Sequence, residues 1–158
     1  MAQILIIGYG NSLRGDDAVG SLAAEELRQH YHDDPNVQVI ASHQLTPEMA
    51  EDISRSDFVI FLDASSSAEP GKVWQTPVLP KPELAGFTHQ LTPASLLSAA
   101  EKLYGRVPEA VCITLAGWSF KLDNKLSRRA KMLLPVLVGQ AKDAVDAHQR
   151  RAPQLAPI

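Results

Sequence analysis

Cysteine is nearly absent from this chain: Cys112 is the only one in 158 residues. No internal disulfide can form, which fits a reducing compartment and a fold held by its core alone. An excess of positive charge is lacking too. Lys and Arg number 15 against 18 Asp and Glu, a formal net charge of -3, which argues against a general nucleic-acid binder. The local basic group Arg128, Arg129 and Lys131 reads as a solvated helix face. No apolar run approaches membrane-spanning length. The first residues enter an apolar run without a basic leader or cleavage site, so a cytoplasmic, unsecreted protein is expected. Low-complexity blocks and long linkers are missing. So are a His-Glu-x-x-His helix, a Gly-x-Ser-x-Gly elbow and a phosphate-cradling P-loop.

What remains is an ordinary globular composition, 45% hydrophobic and 21% charged, in a chain long enough for one domain with a real core. Its most informative stretch runs from Ile4 to Gly20. Four aliphatics, Ile4-Leu5-Ile6-Ile7, predict a central parallel strand buried on both faces. Gly8 and Gly10 open the turn, Asp16 and Asp17 follow, and Val19, Leu22, Ala23 and Leu27 then share one helix face. The acid pair has three readings. One is plain helix capping, aided by the helix dipole. A second, dinucleotide binding, is disfavoured: Leu13 stands at the third glycine position, Ser42-His43-Gln44 offers no acid for a ribose, and two carboxylates would repel a pyrophosphate. The third makes one Asp a metal or catalytic ligand.

Along the chain, the first helix is predicted from about Asp17 to Tyr31, and strand two from Val37 to Ala41. Thr46-Pro47 starts a helix with Thr as cap and Pro in its first turn. Phe58 to Leu62 is strand three, ended by Asp63, and Lys72 to Leu79 is an edge strand by its prolines. Thr92-Pro93 opens a helix that Gly105 stops, and Val111 to Leu115 is another buried strand. Ser127 caps a long final helix that Pro135 should kink or divide. Residues 1–149 thus form a single α/β domain, a mostly parallel twisted sheet with helices on both faces, and 150–158 a flexible tail. The pentapeptide His-Gln-Leu-Thr-Pro occurs twice, at His43–Pro47 and His89–Pro93, without the matching flanks of a true repeat.

Ligands of open α/β sheets bind at the carboxyl ends of the strands. On that rule Asp16 and Asp17, His43 and Asp63 gather at one edge, and His89 joins them if the fold brings it over. Two carboxylates and an imidazole would suit zinc, nickel, iron or manganese. Such a metal polarises a carbonyl or activates water; without one, paired carboxylates could divide acid and base roles. Ser65, Ser66 and Ser67 lack the context of a serine triad, and Cys112 falls in a buried strand, so it reads as core rather than nucleophile.

The opening Ile-Leu-Ile-Ile-Gly-x-Gly-Asn-x-Leu-x-x-Asp-Asp-x-x-Gly, the apolar strand ending in Asp63-Ala64, and Thr88-His89 together resemble the hydrogenase maturation endopeptidases. The likeness extends through Ser119-Phe120 and Leu126-Ser127 to the final helix. It implies a phosphorylase/hydrolase-like fold and a monomer. It also implies an enzyme that trims the C-terminal extension of a nickel–iron hydrogenase large-subunit precursor after nickel insertion. The family's metal-contacting residues map onto Asp17, Asp63 and His89, which would be both the catalytic and the metal-contacting set. Asp16 would be a cap or supporting acid, with Asn11 beside it, and His43 a peptide contact. Nickel would arrive with the precursor, and another divalent metal could occupy the free enzyme. Two other readings stand beside this one: a non-catalytic, nickel-sensing assembly factor, and a metal-dependent hydrolase of small amides. Neither nucleic acid nor membrane is an expected partner.

Overall fold

The computed structural model describes residues 3–82 and 91–155. Two fully apolar runs, Ile4–Ile7 and Phe58–Leu62, and the mainly apolar Val111–Leu115 lie in the three inner strands: β1 (Ile4–Tyr9), β3 (Phe58–Ser65) and β5 (Glu109–Ala116). They are flanked by β2 (Val37–Ser42) and β4 (Val73–Pro77) in the order β2-β1-β3-β5-β4. All pairings are parallel except β4 on β5. The proline-bearing strand is therefore an edge strand, as its composition required, and it closes the sheet antiparallel.

The alternation of side chains in β1, β3 and β5 divides the core into two layers. Ile4, Ile6, Phe58, Ile60, Leu62, Ile113 and Leu115 face α1 (Val19–His30) and α4 (Arg128–Leu155). Leu5, Ile7, Val59, Phe61 and Ala110 face α2 (Met49–Ser54) and α3 (Pro93–Tyr104). The doubly wound, mostly parallel α/β sheet expected from the sequence is present. No helix among the described residues is long and apolar enough to cross a membrane.

Helix α1 sits unusually close to the sheet because of two glycines. A Cβ on Gly8 would overlap the Gly20 carbonyl, and one on Gly20 would overlap the carbonyls of Leu62 and Tyr9. Helix α3 begins as predicted, with Thr92 and Ser95 forming a reciprocal capping box, and ends at Gly105 in the left-handed conformation.

Four local expectations are corrected. The first helix is preceded by a separate 3-10 turn, Gly15–Ala18, so its α-helical part starts at Val19. Thr46 makes no cap: α2 starts at Met49, after a turn in which the Thr46 and Pro47 carbonyls accept the first bonds. Strand three does not stop at Leu62 but continues to Ser65, carrying Asp63 inside the ladder opposite Thr114. Pro135 does not divide the last helix. A helix-interior proline costs about 3 kcal/mol; Ala130, Leu137, Val138 and Ala141 are buried on either side of it, and each large one contributes about 1.5–3 kcal/mol. The helix runs on to Leu155.

Candidate active site

The site is assembled on a polar row that crosses the sheet just above its apolar layer. Ser42 pairs with Tyr9 and Asp63 pairs with Thr114. Tyr9 and Asp63 meet side by side, with the Tyr9 Oη donating to Asp63 Oδ2 at 2.9 Å. The other Asp63 oxygen, Oδ1, accepts the Ala64 N–H at 2.7 Å. Beneath this row, along β1 and β3, lie Ile7 and Phe61, both fully buried. Polar chemistry therefore begins one step from the core.

The β1–α1 turn brings in the second acid. Gly10 N donates to the Ser42 carbonyl at 3.1 Å, and a Cβ on Gly10 would overlap the Asp17 carbonyl. Only glycine lets the turn fold back this tightly. Asn11 uses its side chain to hold the turn, accepting Leu13 N at 2.8 Å, and its backbone N–H to hold Asp17 Oδ2 at 2.7 Å. The remaining Asp17 oxygen is left to the cleft.

Asp16 points the other way. It is fully buried and accepts Trp118 N at 2.8 Å, Ser119 N at 3.1 Å, Ser127 N at 2.7 Å and Ser127 Oγ at 2.8 Å. It thereby ties the turn to the connection between β5 and α4. Neither the 3-10 turn nor α1 has a side-chain cap, so the capping reading of Asp16 is corrected: it satisfies another segment's N–H groups, not its own helix. Ser127 caps α4 as expected, accepting Ala130 N at 3.2 Å. Gly15 precedes this anchor at φ 55°, and a Cβ there would come within 2.6 Å of Ser119 O.

The electrostatics separate the acids. Burial would raise Asp16, but the bonds from Ser127, Trp118 and Ser119 outweigh it and hold the carboxyl below its usual range. Asp63 is raised, by burial first and by the Asp17 charge in addition, against the bonds from Tyr9 and Ala64. Tyr9 is raised well above the usual phenol range by burial and by Asp63. Cys112 is pushed up to about 11 by burial, so it is a thiol and no nucleophile.

Asp17, Asp63, Asn11 and His43 all line one cleft of about 590 Å³. Both pentapeptides contribute to its wall, His43, Gln44, Leu45 and Pro47 from one and Leu91, Thr92 and Pro93 from the other. His89 lies outside the described residues. Among the described residues, no three His, Cys, Asp or Glu side chains form a group able to hold a metal ion. Tyr9 and Arg14 also line the cleft, and sequence reasoning missed both. The signal for Tyr9 was its place at the end of a buried strand, beside a second strand ending in Asp. Only the register makes them neighbours.

The mostly parallel α/β sheet thus carries a turn-borne acid and a strand-borne acid at its carboxyl edge, and structural comparisons find proteins of the same fold. No family model and no curated protein sequence matches the chain. Solved structures do. Hydrogenase maturating endopeptidase HybD from E. coli matches with a TM-score of 0.74 at 23% identity, over 92% of this chain and 93% of that one. The [NiFe] hydrogenase maturation protease HycI from Thermococcus kodakarensis KOD1 matches with a TM-score of 0.67 at 27% identity, over 87% and 91%. HybD from Thermococcus kodakarensis, another [NiFe] hydrogenase maturation protease, gives 0.67 at 21%, over 90% and 98%. The chain has the fold of the hydrogenase maturation endopeptidases, the family that its opening motif resembles.

Proposed function

We propose that this protein is a cytoplasmic, monomeric endopeptidase of hydrogenase maturation, removing the C-terminal extension of a nickel–iron hydrogenase large-subunit precursor once nickel has been inserted. The observation that carries the reading is the convergence of Asp17 and Asp63 on one polar cleft, in the fold of the maturation proteases. Fold alone would not carry it, because function resides in sites.

The nickel in this reading is part of the substrate. The residues fit a divalent cation by donor chemistry. Asp17 keeps one oxygen free of the Asn11 bond, Asp63 keeps a lone pair on each oxygen, and the two like charges are close enough for Asp17 to raise Asp63. Asp17 and Asp63 would contact the ion, with His89 as the proposed third contact. When bound, such an ion polarises a carbonyl or activates a water. The chain's own residues do the rest: Asn11 N aims Asp17, Ala64 N bonds Asp63 Oδ1, and His43 stands further along the wall as a proposed peptide contact.

Purified protein incubated with nickel-loaded precursor should shorten it, as read by intact mass. Asp17→Asn and Asp63→Asn should bind the precursor without cutting it. A wild-type protein that binds stably and leaves the precursor mass unchanged would overturn the endopeptidase reading in favour of a non-catalytic assembly factor.

A further inference from the structure

We propose that Tyr9 is a positioning residue of this site, its hydroxyl holding the Asp63 carboxylate in one orientation over the cleft. The inference rests on the endopeptidase reading and adds a residue that neither the motif nor the expected ligand set contains. Tyr9 is the last residue of β1, and its ring packs against the apolar cluster under α2 and α3. Phenylalanine would meet that packing need equally well. The hydroxyl is therefore the informative atom, and it is bonded to Asp63 Oδ2 at 2.9 Å.

Together with Ala64 N on Oδ1 at 2.7 Å, the bond fixes the carboxylate at both oxygens. Each oxygen retains a lone pair for the cleft. The Ala64 bond alone comes from the adjacent residue, so it ties Asp63 to its own backbone and to nothing across the sheet. The Tyr9 bond spans 54 residues and two strands, so it ties Asp63 to the strand whose turn carries Asp17. Asp17 also bears a charge of the same sign, which would drive an unheld Asp63 side chain away from the shared cleft. A neutral donor seated in the core opposes that movement. Supporting hydrogen bonds of this kind typically change activity or ion affinity by about 10- to 100-fold when removed.

The test is Tyr9→Phe, which keeps the ring. With nickel-loaded precursor, kcat should fall about 10- to 100-fold while KM and the thermal midpoint stay at wild-type values. In parallel, side-chain coupling constants measured by NMR on the metal-free protein should report one Asp63 rotamer in wild type and rotamer averaging in Tyr9→Phe. Wild-type turnover by Tyr9→Phe, alongside an inactive Asp63→Asn, would overturn the positioning role and leave the endopeptidase reading intact. A loss confined to KM, or one that follows a lowered melting temperature, would overturn it as well. If wild type itself does not cut, the endopeptidase reading fails, and the couplings decide Tyr9 alone: an unchanged single rotamer in Tyr9→Phe overturns the proposal.

Discussion

Asp16 and Asp17 share a peptide bond and serve two different regions. On one side of the turn, Asp16 is sealed from solvent, with four donors from the β5–α4 connection on its two oxygens. On the other, Asp17 has one oxygen held by Asn11 N and lines the cleft with Asp63. The first region is satisfied: four donors within the protein meet the buried Asp16 carboxylate. The second is under-saturated, with two like charges sharing a cleft. Saturation marks a structural acid and its lack marks a site, even between neighbours of the same residue type.

The comparison breaks most readily at the cleft. Asp17→Asn should reduce precursor processing by more than about 10²-fold, with the melting temperature close to wild type, as read by intact mass and thermal denaturation. Asp16→Ala should do the reverse in kind. It leaves three backbone N–H groups and a hydroxyl without their acceptor, at a cost of about 3–5 kcal/mol in chemical denaturation. A cap-like role would cost only about 1 kcal/mol, so the measured value separates the two assignments directly. Gly117→Ala sharpens the saturated side. Its Cβ would come within 2.6 Å of the Asp16 Cβ and 3.0 Å of the Phe120 ring, so a loss of about 1–3 kcal/mol is expected.

The smallest effect is expected at the opposite edge of the sheet, where Asp57 serves as a control acid. Gln3 N, at 2.8 Å, lowers it most; burial opposes, and Arg106, at 2.6 Å, lowers it further. A depressed carboxyl pKa contributes stability that is present above its unfolded value, near 3.9, and lost as pH falls through the folded one. Because its side chain is 39% exposed, solvent screening limits the contribution to on the order of 0.5 kcal/mol. Asp57→Asn should therefore lose about that much in urea denaturation at pH 7, with the difference shrinking as the pH falls past the unfolded value and through the lower folded one, and with processing unaffected.

Much of the fold was legible because burial on both faces leaves a local trace. Ile4–Ile7 and Phe58–Leu62 are bare of polar side chains and Val111–Leu115 is interrupted only by Cys112 and Thr114, and such runs are at home inside a covered parallel sheet. Thr92, Ser95 and Gly105 likewise act on their own helix, within a few residues. Pro135 and Thr46 misled for the complementary reason: local propensity was right about cost and wrong about outcome, since core packing along α4 and the turn ahead of α2 decided both.

By itself, the sequence determined the alternating strands and helices, the edge position of β4 and the candidacy of the Asp16–Asp17 pair, His43 and Asp63. These depend on side-chain type at short spacing, where hydrophobic period and turn chemistry act. Only the tertiary structure decided that Asp16 faces Ser127, 111 residues away, and that Tyr9 faces Asp63, 54 residues away. A carboxylate's role follows from which donors reach its oxygens, and over such separations strand register and helix docking choose those donors.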